Sequence, residues 1–206
     1  MPIIYYTYYT PVDLTISSIA NQEHILGREL LLHGLKDIYG IELSFNELDS
    51  ALKKDSNGKP FLAEHLNIFF NISHCDGLVA CAFDTTSIGI DVEFPGYFPE
   101  ILITKSLSKT EIDFLQKTGS TLPLKQEWFY RLWTLKEAYV KKSGLGVDTN
   151  LKDFSFSFTQ TKDLMNIICS DQSVACYQTT LSQGHILSLC YENSDKTIKL
   201  IEYPLV

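Results

Sequence analysis

No apolar run in this chain approaches the roughly 20 residues that a helix needs to cross a bilayer core. Stretches such as Leu30–Leu32 and Ile68–Phe70 are far shorter, so no membrane association is expected. The opening Met1-Pro2-Ile3-Ile4-Tyr5-Tyr6 has neither the basic region nor the cleavage pattern of a signal peptide, and a cytoplasmic location is expected. Cysteine is scarce and badly spaced for cross-linking: Cys75, Cys81, Cys169, Cys176 and Cys190 are odd in number and contain no C-x-x-C pair. Neither a disulfide framework nor a structural zinc site is therefore indicated, and reduced core thiols are expected. Positive charge is also in short supply. With 17 Lys and Arg against 25 Asp and Glu, the net charge of −8 argues against general nucleic-acid binding.

What remains describes a globular chain: 206 residues, 45% hydrophobic and 20% charged, enough for one large domain or two small ones around a proper core. The charge is unevenly spread. Residues 1–100 carry 5 basic against 14 acidic side chains, residues 101–143 carry 8 against 4, and residues 144–206 carry 4 against 7. The middle segment is thus the basic one, with Lys105, Lys109, Lys117, Lys125, Arg131, Lys136, Lys141 and Lys142. Such a segment attracts an anionic ligand or an acidic protein, or else forms a mixed solvated helix face.

Periodicity gives the elements. Ile3 to Tyr9 is β-branched and aromatic, a strand ended by Pro11, and residues 21–39 carry a helical pattern that Gly40 terminates. Leu66 to Ile72 and Leu78 to Phe83 read as strands joined around residues 73–77. Ile88 to Phe94 follows, and three strands in quick succession predict one antiparallel sheet. Ser108-Lys109-Thr110-Glu111 is a capping box opening a short helix. From Gln126 to Lys142, Trp128, Leu132, Leu135 and Tyr139 recur at helical spacing, a core-facing stripe ended by Gly144-Leu145-Gly146. Phe154 to Phe158, Val174 to Thr179, Ile186 to Tyr191 and Ile198 to Tyr203 supply further strands.

Each half therefore shows a long helix followed by a glycine-led strand. This predicts an α+β fold of two similar subdomains, residues 1–96 and 97–206, each a small antiparallel sheet with a long helix, related by a pseudo-twofold axis with the active site at the seam.

One stretch carries chemistry. In Ser87-Ile88-Gly89-Ile90-Asp91-Val92-Glu93-Phe94 the apolar residues alternate with Gly89, Asp91 and Glu93, which puts both carboxylates on one strand face. Like charges one strand step apart repel unless a cation lies between them, so this face is read as lying outside the core, and paired carboxylates select a hard ion such as Mg²⁺. Gly89 is read as room for a ligand.

Taken together, Gly58-Lys59-Pro60, Phe70-Asn71-Ile72-Ser73-His74, Ile88 to Glu93, Ser108 to Glu111 and Trp133-Thr134-Leu135-Lys136-Glu137-Ala138-Tyr139-Val140-Lys141 occur in the order and spacing of a known family. The chain, over roughly residues 24–158, resembles the surfactin-synthetase-type 4′-phosphopantetheinyl transferases. The resemblance implies a pseudo-twofold α+β monomer that takes coenzyme A and Mg²⁺. It transfers phosphopantetheine to a serine of an acyl or peptidyl carrier protein and releases adenosine 3′,5′-bisphosphate. Asp91, Glu93 and Glu137 are the implied metal ligands, and Asp91, Glu137 and Lys141 the implied catalytic residues. Either Glu137 or a water on the metal removes the serine proton. Lys141 is directed at the same phosphates, and Lys59, Pro60, Asn71, Ser73 and His74 complete the coenzyme A site, Lys59, Ser73 and His74 toward the 3′-phosphate and adenine end.

The chain departs from the family at one place. Members usually carry a longer basic stretch before the first helix that grips the 3′-phosphate. Here Asn21-Gln22-Glu23-His24 is short and acidic, and His24 and Arg28 are the residues available in its stead. Carrier proteins of this class are acidic, so docking on the basic segment 101–143 is expected, with apolar contact from Leu102 to Leu107. Two other functions share these residues: a coenzyme A-binding protein without catalysis, and a Mg²⁺-dependent phosphohydrolase needing no carrier.

Overall fold

A computed structural model describes residues 1–146, 148–161, 164–192 and 196–204, except for the side chains of Gln160, Thr161 and Leu164. Strand β1 (Ile3–Tyr8) leads to helix α1 (Ile16–Tyr39), which starts five residues before the periodicity predicts. The Thr15 hydroxyl accepts from the Ser18 amide and caps α1, and Gly40, with φ 68°, closes it in the left-handed conformation. Helix α2 (Phe45–Ala51) opens on a Ser44–Glu47 capping box that the sequence reading passed over. Strands β2 (Leu52–Lys54) and β3 (Pro60–Leu62) form a hairpin around residues 55–59.

Strands β4 (Phe69–Cys75) and β5 (Leu78–Asp84) pair antiparallel through a turn at Asp76-Gly77, so β4 runs through the predicted turn residues Ser73 to Cys75. They join β1 and β11 (Lys199–Glu202) in a sheet of order β11-β1-β5-β4. Strand β6 (Gly89–Glu93) does not extend that sheet, which corrects the predicted three-strand run. It pairs with β10 (Ile186–Glu192), whose other neighbour is β9 (Val174–Thr180). Helices α3 (Ile101–Ser106), α4 (Lys109–Thr118) and α5 (Leu122–Ser143) lie between, followed by a hairpin of β7 (Phe156–Thr161) and β8 (Leu164–Cys169). The chain thus exchanges strands across residue 96: β6 goes to the sheet of the second half, and β11 returns to that of the first.

Three apolar layers hold these elements in the order helix, sheet, sheet, helix. Leu26, Leu30, Leu31 and Leu35 of α1 pack on Tyr5, Val79, Cys81 and Phe83. The opposite faces of the two sheets meet through Ile4, Leu78, Ala80 and Ala82 against Ile88, Ile90, Val92, Leu187 and Leu189. Phe129, Leu132, Leu135 and Ala138 of α5 close the far side with Phe154, Phe156 and Cys190. Because side chains alternate along β6, filling the inter-sheet layer with Ile88, Ile90 and Val92 sends Gly89 and Asp91 toward α5. That alternation positions the site.

Candidate active site

Helix α5 crosses β6 almost in backbone contact. A Cβ on Gly89 would lie 2.1 Å from the Ala138 carbonyl oxygen and 2.3 Å from the Lys142 amide nitrogen. The space read as an approach for a ligand is thus filled by the helix, and Gly89 serves packing. The same crossing covers Asp91, only 5% exposed, so the face assigned outside the core is interior at this residue. Lys141 compensates the buried charge: its Nζ donates to Asp91 Oδ1 at 2.6 Å and to Ser73 Oγ at 2.9 Å. Lys141 and Asp91 so form an ion pair between α5 and β6.

The Asn-x-Ser spacing on β4 has a structural use. Asn71 and Ser73 point to one face, and there Asn71 Oδ1 accepts from the Ile90 amide at 2.9 Å while Ser73 Oγ accepts from the Val92 amide at 3.3 Å. Two amides of β6 that no neighbouring strand serves are so satisfied by side chains, which stitches the two sheets together. Ser73 also donates to Asp91 Oδ1 at 3.0 Å, so its one hydrogen and both lone pairs are engaged. Asn71-Ile72-Ser73 matches a glycosylation sequon, and the burial of Asn71 makes that match a coincidence.

The second oxygen of Asp91, Oδ2, is buried without a donor among the described residues. Burial raises the Asp91 pKa against the opposing pull of Lys141. Burial and the Asp91 charge push the half-buried Glu93 carboxyl up to about 7, although Trp133 Nε1 donates to Glu93 Oε1 at 3.3 Å. Glu137 is pushed up by the same two causes, with Lys141 partly offsetting them. Three carboxyls thus share one field that a single lysine does not neutralise. Their all-oxygen donor set and the unserved Oδ2 fit a hard divalent cation. Among the described residues no three His, Cys, Asp or Glu side chains are already disposed as a ligand group, so the expected convergence of Asp91, Glu93 and Glu137 is not preformed.

A cavity of about 490 Å³ opens beside this cluster, lined by Lys59, Pro60, Asn71, Trp133, Glu137 and Lys141 among others. A second, of about 360 Å³, shares Lys59 and Pro60 and adds Phe61, Phe69 and Lys142. Lys59 stands between them, donating to the carbonyls of Ile88 and Lys142 at 3.1 Å each and to Ser87 Oγ at 3.4 Å. It so ties the hairpin loop to the carbonyl end of α5, and burial lowers its pKa to about 8. Asn57 adds a bond to the Gly144 carbonyl at 2.6 Å.

His74 projects from the other face of β4. Its Nδ1 lies 2.9 Å from Glu23 Oε2, away from the Asp91 side of the strand. Arg28 bonds Asp49 and His24, and sits apart from the described cavities.

The basic segment divides. Lys136 is fully buried, paired with buried Glu111 at 2.8 Å and bonded to the Leu151 and Phe154 carbonyls, so it is removed from any docking surface. Ile103 and Leu107 enter the core as well, which corrects the expected apolar contact from residues 102–107. Lys105 and Lys109 are exposed, and Tyr97 and Ile101 are among the exposed apolar residues before them. The sequence reading missed Trp133 as a partner of Glu93 and Glu23 as a partner of His74. Trp133 lies at the edge of the α5 stripe, beside Leu132, and that position is the one available signal. Glu23 has no signal short of the fold.

Comparison with known proteins bears on this arrangement. Residues 87–190, which contain Asp91, Glu93, Glu137 and Lys141, match the family model described as the 4′-phosphopantetheinyl transferase superfamily. The chain belongs to that superfamily, and it is an enzyme of that family. Among its relatives are the 4′-phosphopantetheinyl transferase Sfp of Bacillus subtilis (strain 168), 28% identical over 82% of this chain and 76% of its own length, and the transferase gsp of Aneurinibacillus migulanus, 30% identical over 67% and 56%. HetI of Nostoc sp., also a 4′-phosphopantetheinyl transferase, is 33% identical over 66% of this chain and 57% of its own. A crystal structure of the Thermotoga maritima holo-[acyl-carrier-protein] synthase aligns at a TM-score of 0.39 and 17% identity over 51% of this chain and 61% of that one, too loosely to carry an argument. Lys59, Pro60, Asn71, Ser73 and His74 precede the segment that the family model matches.

Proposed function

We propose that this enzyme transfers 4′-phosphopantetheine from coenzyme A to a serine hydroxyl of an acyl or peptidyl carrier protein, with Mg²⁺. The carrying observation is the Asp91 carboxylate, buried, held on one oxygen by Lys141 and Ser73 and unserved on the other, at the edge of a cavity that Glu137 also lines. The serine oxygen attacks the phosphorus next to pantetheine. The bond from that phosphorus to the bridging oxygen breaks, and adenosine 3′,5′-bisphosphate leaves with the electron pair. Asp91, Glu93 and Glu137 would hold Mg²⁺, which when bound would supply charge neutralisation on the diphosphate.

The protein's own groups do the rest. Glu137 lines the cavity, and its carboxyl, pushed up by burial and by the Asp91 charge, is the group on this chain placed to accept the serine proton. Lys141 fixes Asp91 and offers its ammonium to the phosphates. Lys59 makes its longest contact to Ser87, at 3.4 Å, and a phosphate oxygen is the stronger acceptor, so exchange toward the nucleotide end is favourable. The aromatic hollow beyond Lys59 suits that end. Asn71 and Ser73 act here by holding β6 in place. In this reading the halves 1–96 and 97–206 are related by a pseudo-twofold axis, each lending the other a strand. The protein works as a monomer, and acidic carriers dock at Lys105 and Lys109 with Tyr97 and Ile101.

The test is to incubate the protein with coenzyme A, Mg²⁺ and an apo carrier, then weigh the carrier. A gain of one phosphopantetheine arm, abolished by Asp91→Ala and by Glu137→Gln, is the expected result. Coenzyme A consumed with no gain in mass would identify a hydrolase, and neither change a binding protein.

A further inference from the structure

We propose that Glu23 is a positioning residue that turns His74 outward as a contact for the anionic, phosphate end of coenzyme A, with Tyr9 holding Glu23. The inference rests on the functional reading above and deepens it at a place where the chain carries an acid instead of the expected bases.

Glu23 is only 8% exposed, although it lies on the first turns of α1 among exposed neighbours. Burying a carboxylate is costly unless both oxygens are served, and here both are. Oε1 accepts from the Tyr9 hydroxyl at 2.6 Å and Oε2 faces His74 Nδ1 at 2.9 Å. Burial and the Glu23 charge raise the Tyr9 pKa well above its usual range, so this phenol remains a donor. A carboxylate only accepts, so Nδ1 of His74 donates to Glu23 and the ring plane is set, and Nε2 contacts a phosphate as a donor when it carries a proton as well. The imidazole side chain is 52% exposed, and its Nε2 has no partner among the described residues. The buried Glu23 carboxylate therefore accepts from a buried phenol on one oxygen and from His74 Nδ1 on the other, which leaves Nε2 of the ring facing outward.

A stabilising surface ion pair does not need this construction. Exposed pairs contribute little, and none requires a buried carboxylate braced from behind. Orienting a histidine through a carboxylate on its other nitrogen is instead how proteins set the direction of a ligand-contacting ring. His24 and Arg28, the other bases near this turn, are bonded to each other and Arg28 to Asp49, which leaves His74 as the base presented at the end of β4.

Coenzyme A and 3′-dephospho-coenzyme A are titrated into wild type, Glu23→Gln, Tyr9→Phe, His74→Ala and the Glu23→Gln/His74→Ala pair, and the KM for coenzyme A and kcat are measured in the carrier assay. Glu23→Gln is expected to weaken coenzyme A binding and raise KM about tenfold with kcat within about twofold, the size of a lost charge-assisted bond. Tyr9→Phe, which keeps the ring and guards against misfolding, moves the same way by less. On the His74→Ala background Glu23→Gln adds nothing, and the ¹⁵N shifts of the His74 ring report loss of the fixed Nδ1 proton. An effect confined to coenzyme A and absent with the dephospho form places the contact at the 3′-phosphate; one seen with both places it on the diphosphate. Unchanged affinity in Glu23→Gln, or an equal loss with and without His74, overturns the inference alone. Failure of the wild type to bind either nucleotide overturns the functional reading, and this inference with it.

Discussion

At Asp91 one carboxylate oxygen is bonded to a lysine and a serine while the other has no donor among the described residues, and this imbalance governs how the site answers to pH. The neighbouring Glu93 makes the sign explicit. Its folded-state pKa of about 7 lies above the ordinary 4.5, so the folded protein holds this proton more tightly than the unfolded chain. Stability from that group is full below about 4.5 and is lost as the pH rises through about 7. A divalent cation reverses the repulsion only where the carboxylates are ionised. Thermal melts of the wild type should therefore show little effect of Mg²⁺ at pH 5 and a clear rise in Tm at pH 8. An equal rise at both values would mean that the cation binds elsewhere. At this scale the sequence offers Asp91, Glu93, Glu137 and Lys141 as candidates, and the structure sets them around one cavity edge. Their environment was not legible, because the alternation along β6 shows which side chains share a face and not what covers that face.

Elements were legible where one periodic stripe dictates them. The stripe of α5, its glycine end and the capping box of α4 are present as read. The first turn of α1 escaped because Ile16, Ser17 and Ser18 have no apolar repeat, and the helix is set there by the Thr15 cap. Lys136 reads as a surface charge, yet it is buried against Glu111, an exchange that periodicity alone cannot show because the partner lies on another helix. Gly89 is the sharpest case. Its place beside two carboxylates invites a ligand, and the structure gives the space to the backbone of α5. Gly89→Ala forces that helix away from β6 and should cost about 3 kcal/mol in urea unfolding, with transfer activity falling as Lys141 leaves Asp91. Wild-type stability in the alanine variant would show that the contact is slack.

Across the whole molecule, the sheet assignments were the least legible part. Strand β6 follows β5 closely in sequence but pairs with β10, nearly a hundred residues on, because Asn71 and Ser73 serve its free edge with side chains and leave β10 the backbone bonds. No local signal separates that outcome from a simple meander. The surface charge was legible in outline, with Lys136 and Lys141 subtracted by burial and by the site. Of the remainder, Lys105→Glu with Lys109→Glu should raise the KM for the carrier several-fold, more at low salt, while coenzyme A affinity stays unchanged. Equal loss of both would place these lysines in the nucleotide site and remove them from docking.

All of this depends on a cation and a diphosphate meeting at Asp91. Calorimetric titration of coenzyme A into wild type and Asp91→Asn, each with and without Mg²⁺, measures that directly. Mg²⁺ should tighten binding about tenfold or more in the wild type and leave the asparagine variant unchanged. Equal tightening in both proteins, or none in the wild type, would contradict the account.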